Sequence, residues 1–159
     1  MKVLIIDDEE DTRSIASMSL GLIGGAEVVE ACDGYEGVKK AAEEKPDVII
    51  LDLLMPGMDG TETFKTLKRN PATEGIPVIF LTVTGMFEEF DNLKAMGALA
   101  VLTKPFDPTL LTSQITEILN AAGNKDSDSD VVKGHLDTAE SDALSASGSE
   151  SAIRTDNTD

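Results

Sequence analysis

Residues 2–8 read Lys-Val-Leu-Ile-Ile-Asp-Asp, and the fold follows from them. Val3 to Ile6 are four consecutive aliphatic residues with no polar face, so a strand made of them must be covered on both sides, as in a parallel sheet. The run then stops on two carboxylates, Asp7 and Asp8. Two later runs repeat the pattern: Val48-Ile49-Ile50-Leu51 ends in Asp52, and Val78-Ile79-Phe80-Leu81 ends in Thr82. With two weaker runs, the strands are expected at Lys2–Ile6, Glu27–Ala31, Asp47–Leu51, Ile76–Leu81 and Leu99–Leu102.

Helical periodicity fills the intervals. The first helix carries Ile15, Met18, Ser19 and Leu22 on one face, the second Val38, Ala41 and Ala42, and the third Phe64 and Leu67. Met86, Phe90, Leu93 and Gly97 mark the fourth helix, and Leu111, Ile115, Ile118, Leu119 and Ala122 the fifth. Pro46 and Gly97 fall where helices should end. Five strands alternating with five helices predict an α/β doubly wound sheet.

The chain has 159 residues, with 30 Asp and Glu against 13 Lys and Arg, a net charge of −17. Such a chain repels phosphate backbones and anionic lipid, which argues against nucleic acid and membrane as partners. One cysteine, Cys32, rules out a disulfide framework, fits a cytoplasmic protein and is expected to be a packed thiol. No apolar run approaches the roughly 20 residues of a membrane span, and acids follow the N-terminus too soon for a signal peptide. Composition changes near Gly123. Residues 1–122 hold the apolar runs and are expected to form the domain, whereas residues 123–159 have seven serines, nine acids and no aromatic. The second stretch cannot offset its ordering entropy by burial and is expected to be a disordered acidic tail, its His135 solvated.

In a doubly wound sheet ligands bind beyond the carboxyl ends of the strands. The strands deliver Asp7, Asp8, Asp52 and Thr82 to that rim, and the fifth ends just before Lys104. Three crowded carboxylates call for a cation. An all-oxygen donor set favours a hard ion, Mg²⁺ first and Mn²⁺ second. Lys104 and the Thr82 hydroxyl suit phosphoryl oxygens. The rim therefore reads as a site that holds a metal and accepts a phosphoryl group. Asp52, alone at its strand end, is the candidate nucleophile.

These motifs resemble the receiver domains of two-component response regulators. The similarity rests on Asp7-Asp8, on Asp52 with Leu53-Leu54-Met55-Pro56-Gly57-Met58-Asp59-Gly60, on Phe80-Leu81-Thr82, on Gly97-Ala98 and on Lys104-Pro105-Phe106, in order over residues 1–121. It implies a flavodoxin-like (βα)5 fold with strand order 2-1-3-4-5. It also implies that Asp52 is the phosphoacceptor and that Asp7, Asp8, Asp52 and the backbone carbonyl of Leu54 hold Mg²⁺. Lys104 and Thr82 would contact the phosphoryl group, with a cis bond before Pro105. The implied donor is a histidine kinase or histidine phosphotransfer protein, and the implied target is a protein that meets the face of helix 4, strand 5 and helix 5. A single-domain, chemotaxis-type regulator of this kind is a signalling module rather than a turnover enzyme.

Two positions depart from the pattern. Val101 stands where receivers carry Tyr, Phe or His, so aromatic rotation cannot report on phosphorylation. Val83 replaces the usual small residue after Thr82, and slow phosphoryl turnover is expected from it. Glu9, Glu10 and Asp11 read as an acidic helix start that complements the helix dipole, with Asp11 a fair N-cap. Phe87 falls off the stripe of the fourth helix and is a candidate partner contact. A Mg²⁺-dependent phosphatase working through an aspartyl phosphate is the alternative, but it wants a second acid where Leu54 stands. A flavin site would need a phosphate-cradling first loop in place of this acidic one.

Overall fold

The computed structural model describes residues 1–83 and 87–124, without the side chains of residues 87, 88 and 124. Its elements are β1 (Lys2–Ile6), α1 (Glu10–Met18), a π-helical turn (Ser19–Ile23), β2 (Glu27–Ala31), α2 (Gly34–Glu44) and β3 (Val48–Leu51). They continue with α3 (Gly60–Arg69), β4 (Val78–Thr82), α4 (Phe87–Ala95), β5 (Ala100–Thr103) and α5 (Leu111–Asn124). The five strands form one sheet in the order β2-β1-β3-β4-β5, every pair parallel.

Residues 1–116 form one compact unit. Its centre is the three aliphatic runs: Val3–Ile6, Val48–Leu51 and Val78–Leu81 are buried throughout, as strands covered on both faces must be. Leu20, Phe64, Leu67, Leu93, Leu111 and Ile115 bury helix faces against the sheet. The edge strands β2 and β5 are only half-buried along most of their length. Residues 117–124 continue α5, with Ile118, Leu119 and Ala122 half-buried. Gly123 and Asn124 are helical too, two residues past the expected end of the domain. The expectations for the rest of the acidic tail, for His135, for Met86 and for the Phe87 side chain lie outside the described residues.

Three expectations are corrected. The buried face of the first helix is Ala16, Ser19 and Leu20, whereas Ile15, Met18, Leu22 and Ile23 are 47%, 59%, 80% and 59% exposed. The π turn then rotates Leu20 into the core and Leu22 out of it. Ser19 donates its hydroxyl to the carbonyl of Pro108. Cys32 is exposed rather than packed, because it follows edge strand β2, which has a neighbour on one side only. Asp11 lies inside the first turn of α1, and the N-cap is Glu9.

Caps explain the other starts. Asp33 accepts a hydrogen bond from the Glu36 backbone N–H at 2.8 Å, and Asp59 one from that of Glu62 at 2.9 Å. Lys45 closes α2 in a left-handed conformation just before Pro46, and Gly97, at φ +115°, follows the end of α4.

Candidate functional site

β1 and β3 are adjacent and in register, so their carboxyl ends bring Asp7 and Asp52 side by side. Each residue extends its ladder by one bond: the Asp7 N–H reaches the carbonyl of Ala31 at 3.1 Å and the Asp52 N–H that of Ile6 at 2.9 Å. Both side chains are nearly buried, while Asp8 is exposed. The carboxylates of Asp7, Asp8 and Asp52 offer oxygens that lie within 4.8 Å of one another. Behind Asp52 the chain turns back into α3 so tightly that a Cβ on Gly60 would sit 2.4 Å from the Asp52 carbonyl oxygen. Only glycine fits there.

Lys104 arrives from the end of β5, where its N–H meets the carbonyl of Thr82 at 2.9 Å. Its peptide bond to Pro105 is cis. Its ammonium lies 2.9 Å from Asp7 Oδ2, 3.4 Å from Asp52 Oδ1 and 3.6 Å from Glu9 Oε1. Thr82, fully buried, ends β4 and pairs in register with Thr103. Leu54 stands two residues beyond Asp52 with an exposed side chain. Asp7, Asp8, Asp52 and Lys104 therefore converge on one rim.

Burial first, and the Asp7 charge second, push the Asp52 carboxyl up to about 7, against the opposing pull of Lys104. For Lys104 burial works downward, but the Asp7 hydrogen bond and the charges of Asp52, Asp7 and Glu9 outweigh it and raise the ammonium pKa. One cation thus faces a surplus of buried negative charge. A divalent ion held by oxygens fits that donor set, and Mg²⁺ suits it best because it retains waters and phosphate as further ligands.

Two residues of this site did not stand out in the sequence. The Arg13 guanidinium donates through Nη1 to the Asp7 carbonyl at 2.7 Å and through Nε to Glu30 at 3.0 Å, so it ties the end of β1 to α1 and β2. An i+6 spacing from Asp7 carried no motif. Glu9, read as a helix-dipole acid, also accepts the Thr12 hydroxyl at 2.8 Å and faces Lys104. Val101 is half-buried and lines a groove of about 330 Å³ with Phe90 of α4, Gln114 of α5, and Pro105 and Phe106 beyond β5.

Comparison with known proteins gives the same reading. The response regulator receiver domain model matches residues 3–116. The chain is 35% identical to the alkaline phosphatase synthesis transcriptional regulatory protein PhoP of Bacillus subtilis, an alignment covering 85% of this chain and 57% of PhoP. It is 35% identical to protein PilH of Pseudomonas aeruginosa, over 74% of this chain and 97% of PilH. It spans about half the length of the curated transcriptional regulators it matches. Among solved structures, chemotaxis protein CheY4 of Vibrio cholerae superposes with a TM-score of 0.68 at 36% identity, over 74% of this chain and 97% of that one. With the fold, the acid cluster and the matched span in agreement, the chain belongs to the response regulator receiver domain family of two-component signalling.

Proposed function

We propose that this domain accepts a phosphoryl group on Asp52, in a Mg²⁺-dependent reaction, from a histidine kinase or a histidine phosphotransfer protein, and signals by protein contact. The observation that carries the reading is the meeting of Asp7, Asp8, Asp52 and Lys104 at one sheet edge. Asp7, Asp8, Asp52 and the Leu54 carbonyl would hold the metal, which supplies charge compensation for the incoming phosphoryl oxygens. An Asp52 oxygen bonds to phosphorus as the bond from phosphorus to the donor's imidazole nitrogen breaks, its electron pair leaving with the imidazole. Lys104, released from Asp7, meets the transferred oxygens, and the Thr82 hydroxyl donates to one of them. Catalysis is then positioning and electrostatics.

Output would follow as a population shift toward the form in which Thr82 and Lys104 hold the phosphoryl group. The target surface is the face of α4, β5 and α5. Because position 101 is Val, the shift would have to reach that face through the backbone after Thr82. Ile15 of α1 lines a cavity with Lys104, and the exposed Met18 of α1 and Leu22 of the π-helical turn follow it at helical spacing, an apolar surface that supports docking of a protein donor there. The setting is cytoplasmic, nucleic acid is not a partner of so acidic a chain, and the domain turns over no substrate of its own beyond its phosphoryl group. Among the described residues no helix is long and apolar enough to cross a membrane.

The test is incubation of the full chain with Mg²⁺ and acetyl phosphate, followed by intact mass. One added phosphoryl group is expected on the wild type and none on Asp52→Ala. Labelling that persists in the variant, or that ignores EDTA, contradicts the proposal.

A further inference from the structure

The second half of α3 gathers Lys65, Lys68 and Arg69 at the helix end away from Asp52. On a chain of net charge −17 this is a local excess of cations. Lys2, Arg13, Lys40 and Lys104 each form an ion pair. Among the described residues Lys65, Lys68 and Arg69 form none, although Glu62 lines a cavity with the first and last of them and the Glu74 charge reaches Lys68. Lys68 is held without an acid: it donates to the carbonyls of Glu74 at 3.0 Å and Ile76 at 3.1 Å and lies 5.4 Å from the centre of the Phe64 ring. Lys65 and Arg69, one turn apart, are exposed. The helix dipole accounts for bases in the last turn, Lys68 and Arg69, but not for Lys65 a turn earlier. Nor does it account for their surroundings. Lys65 and Arg69 line two depressions at once, one of about 310 Å³ with Tyr35 of α2 and Met58 ahead of α3, the other of about 320 Å³ with Phe64 and with Met96 after α4. Tyr35 is 65% and Met96 36% exposed. Aromatic, methionine and arginine side chains are the ones enriched in protein interfaces.

We propose that this face of α3 is a docking surface for an acidic peptide segment of a partner protein, with carboxylates on Lys65 and Arg69 and an apolar side chain in each depression. The Arg69 guanidinium can hold a carboxylate through two parallel N–H bonds, and Lys65 offers a compact point charge. One apolar side chain packs on Tyr35 and Met58, the other on Phe64 and Met96. Charge complementarity selects this occupant. A nucleic acid or an anionic membrane also answers to three cations, but its extended negative surface meets the rest of an acidic chain and is repelled. A second copy brings another charge of −17. A peptide segment is small enough to meet the patch alone. The surface involves neither the acid cluster nor the face of α4, β5 and α5.

Fluorescence anisotropy of the full chain with a short labelled peptide of Asp and Glu that carries one Phe and one Leu tests the surface. The peptide is expected to bind wild type at low salt, to bind Lys65→Glu and Arg69→Glu each at least tenfold more weakly, and to bind Lys45→Glu, the same charge change at the end of α2, within about twofold of wild type. Replacing its Phe and Leu by Ser should weaken binding to wild type about tenfold, the scale of a lost anchor. Unchanged circular dichroism shows that the variants are folded. Absence of binding to wild type overturns the proposal. So does an equal loss in Lys45→Glu, or a Ser-substituted peptide that binds as well as the parent. Sedimentation of the chain alone covers the remaining occupant: a dimer that Arg69→Glu abolishes assigns the face to a second copy and overturns the peptide.

Discussion

Burial and the neighbouring Asp7 charge put the Asp52 carboxylate at a thermodynamic disadvantage when no cation balances it. Its carboxyl ordinarily titrates near 3.8 and is pushed up to about 7 by burial and by Asp7. The folded state thus binds the proton more tightly than the unfolded state does. The stability this contributes is present below pH 4 and is lost as pH rises through 7. In EDTA, Asp52→Asn should therefore be more stable than wild type at pH 8, by about 1–3 kcal/mol, with the gap closing towards low pH. Urea denaturation at several pH values checks this, and parallel wild-type and variant curves would contradict it. Saturating Mg²⁺ should reverse the order, since the ion favours the charged form and binds only the folded state. Arg13 acts on the neighbouring ligand through its backbone. Arg13→Ala frees the Asp7 carbonyl and should weaken Mg²⁺ binding about tenfold, the usual cost of losing a residue that orients a ligand. Arg13→Lys should recover only part of it, as calorimetric titration would reveal.

At the scale of elements, α1 shows why periodicity alone misplaced a face. Ile15, Met18 and Leu22 have the spacing of a buried stripe, yet Ala16, Ser19 and Leu20 are what the sheet covers. Hydrophobic periodicity assumes that the largest apolar residues go inward. Here the π turn over Ser19–Ile23 breaks the 3.6-residue repeat and puts Leu20, not Leu22, against the sheet. No spacing in the sequence announces either. The junction after β4 is a second case. Val83 is 61% exposed beside the rim and lines a cavity with Lys104. If Asp52 carries a phosphoryl group as proposed, a branched side chain there would shield it from attacking water, so Val83→Ala should hydrolyse its aspartyl phosphate several-fold faster. Decay of the phosphorylated mass species after donor removal measures this. An equal or slower rate would contradict the shielding role.

For the whole molecule, exposed apolar surface on an acidic domain calls for a partner. Met18 and Leu22 bury little, so Met18→Ser and Leu22→Ser should each change stability by less than about 0.5 kcal/mol. If α1 receives a protein donor, the double variant should slow phosphotransfer from that protein at least tenfold while acetyl phosphate still labels Asp52. Equal slowing with both donors would place the defect in the site itself. The parallel sheet and the meeting of Asp7, Asp8, Asp52 and Lys104 at its rim were legible from residues 2–8, 48–52, 78–82 and 104 alone. Strands buried on both faces must be continuously aliphatic, and a polar group at such a strand's end has nowhere to go but the rim. Tertiary structure alone decided which face of α1 is covered, that Cys32 lies open beyond an edge strand, and that Arg13 and Glu9 reach Asp7 and Lys104. Each of those depends on how closely one element approaches another, a distance that a one-dimensional pattern of polarity does not carry.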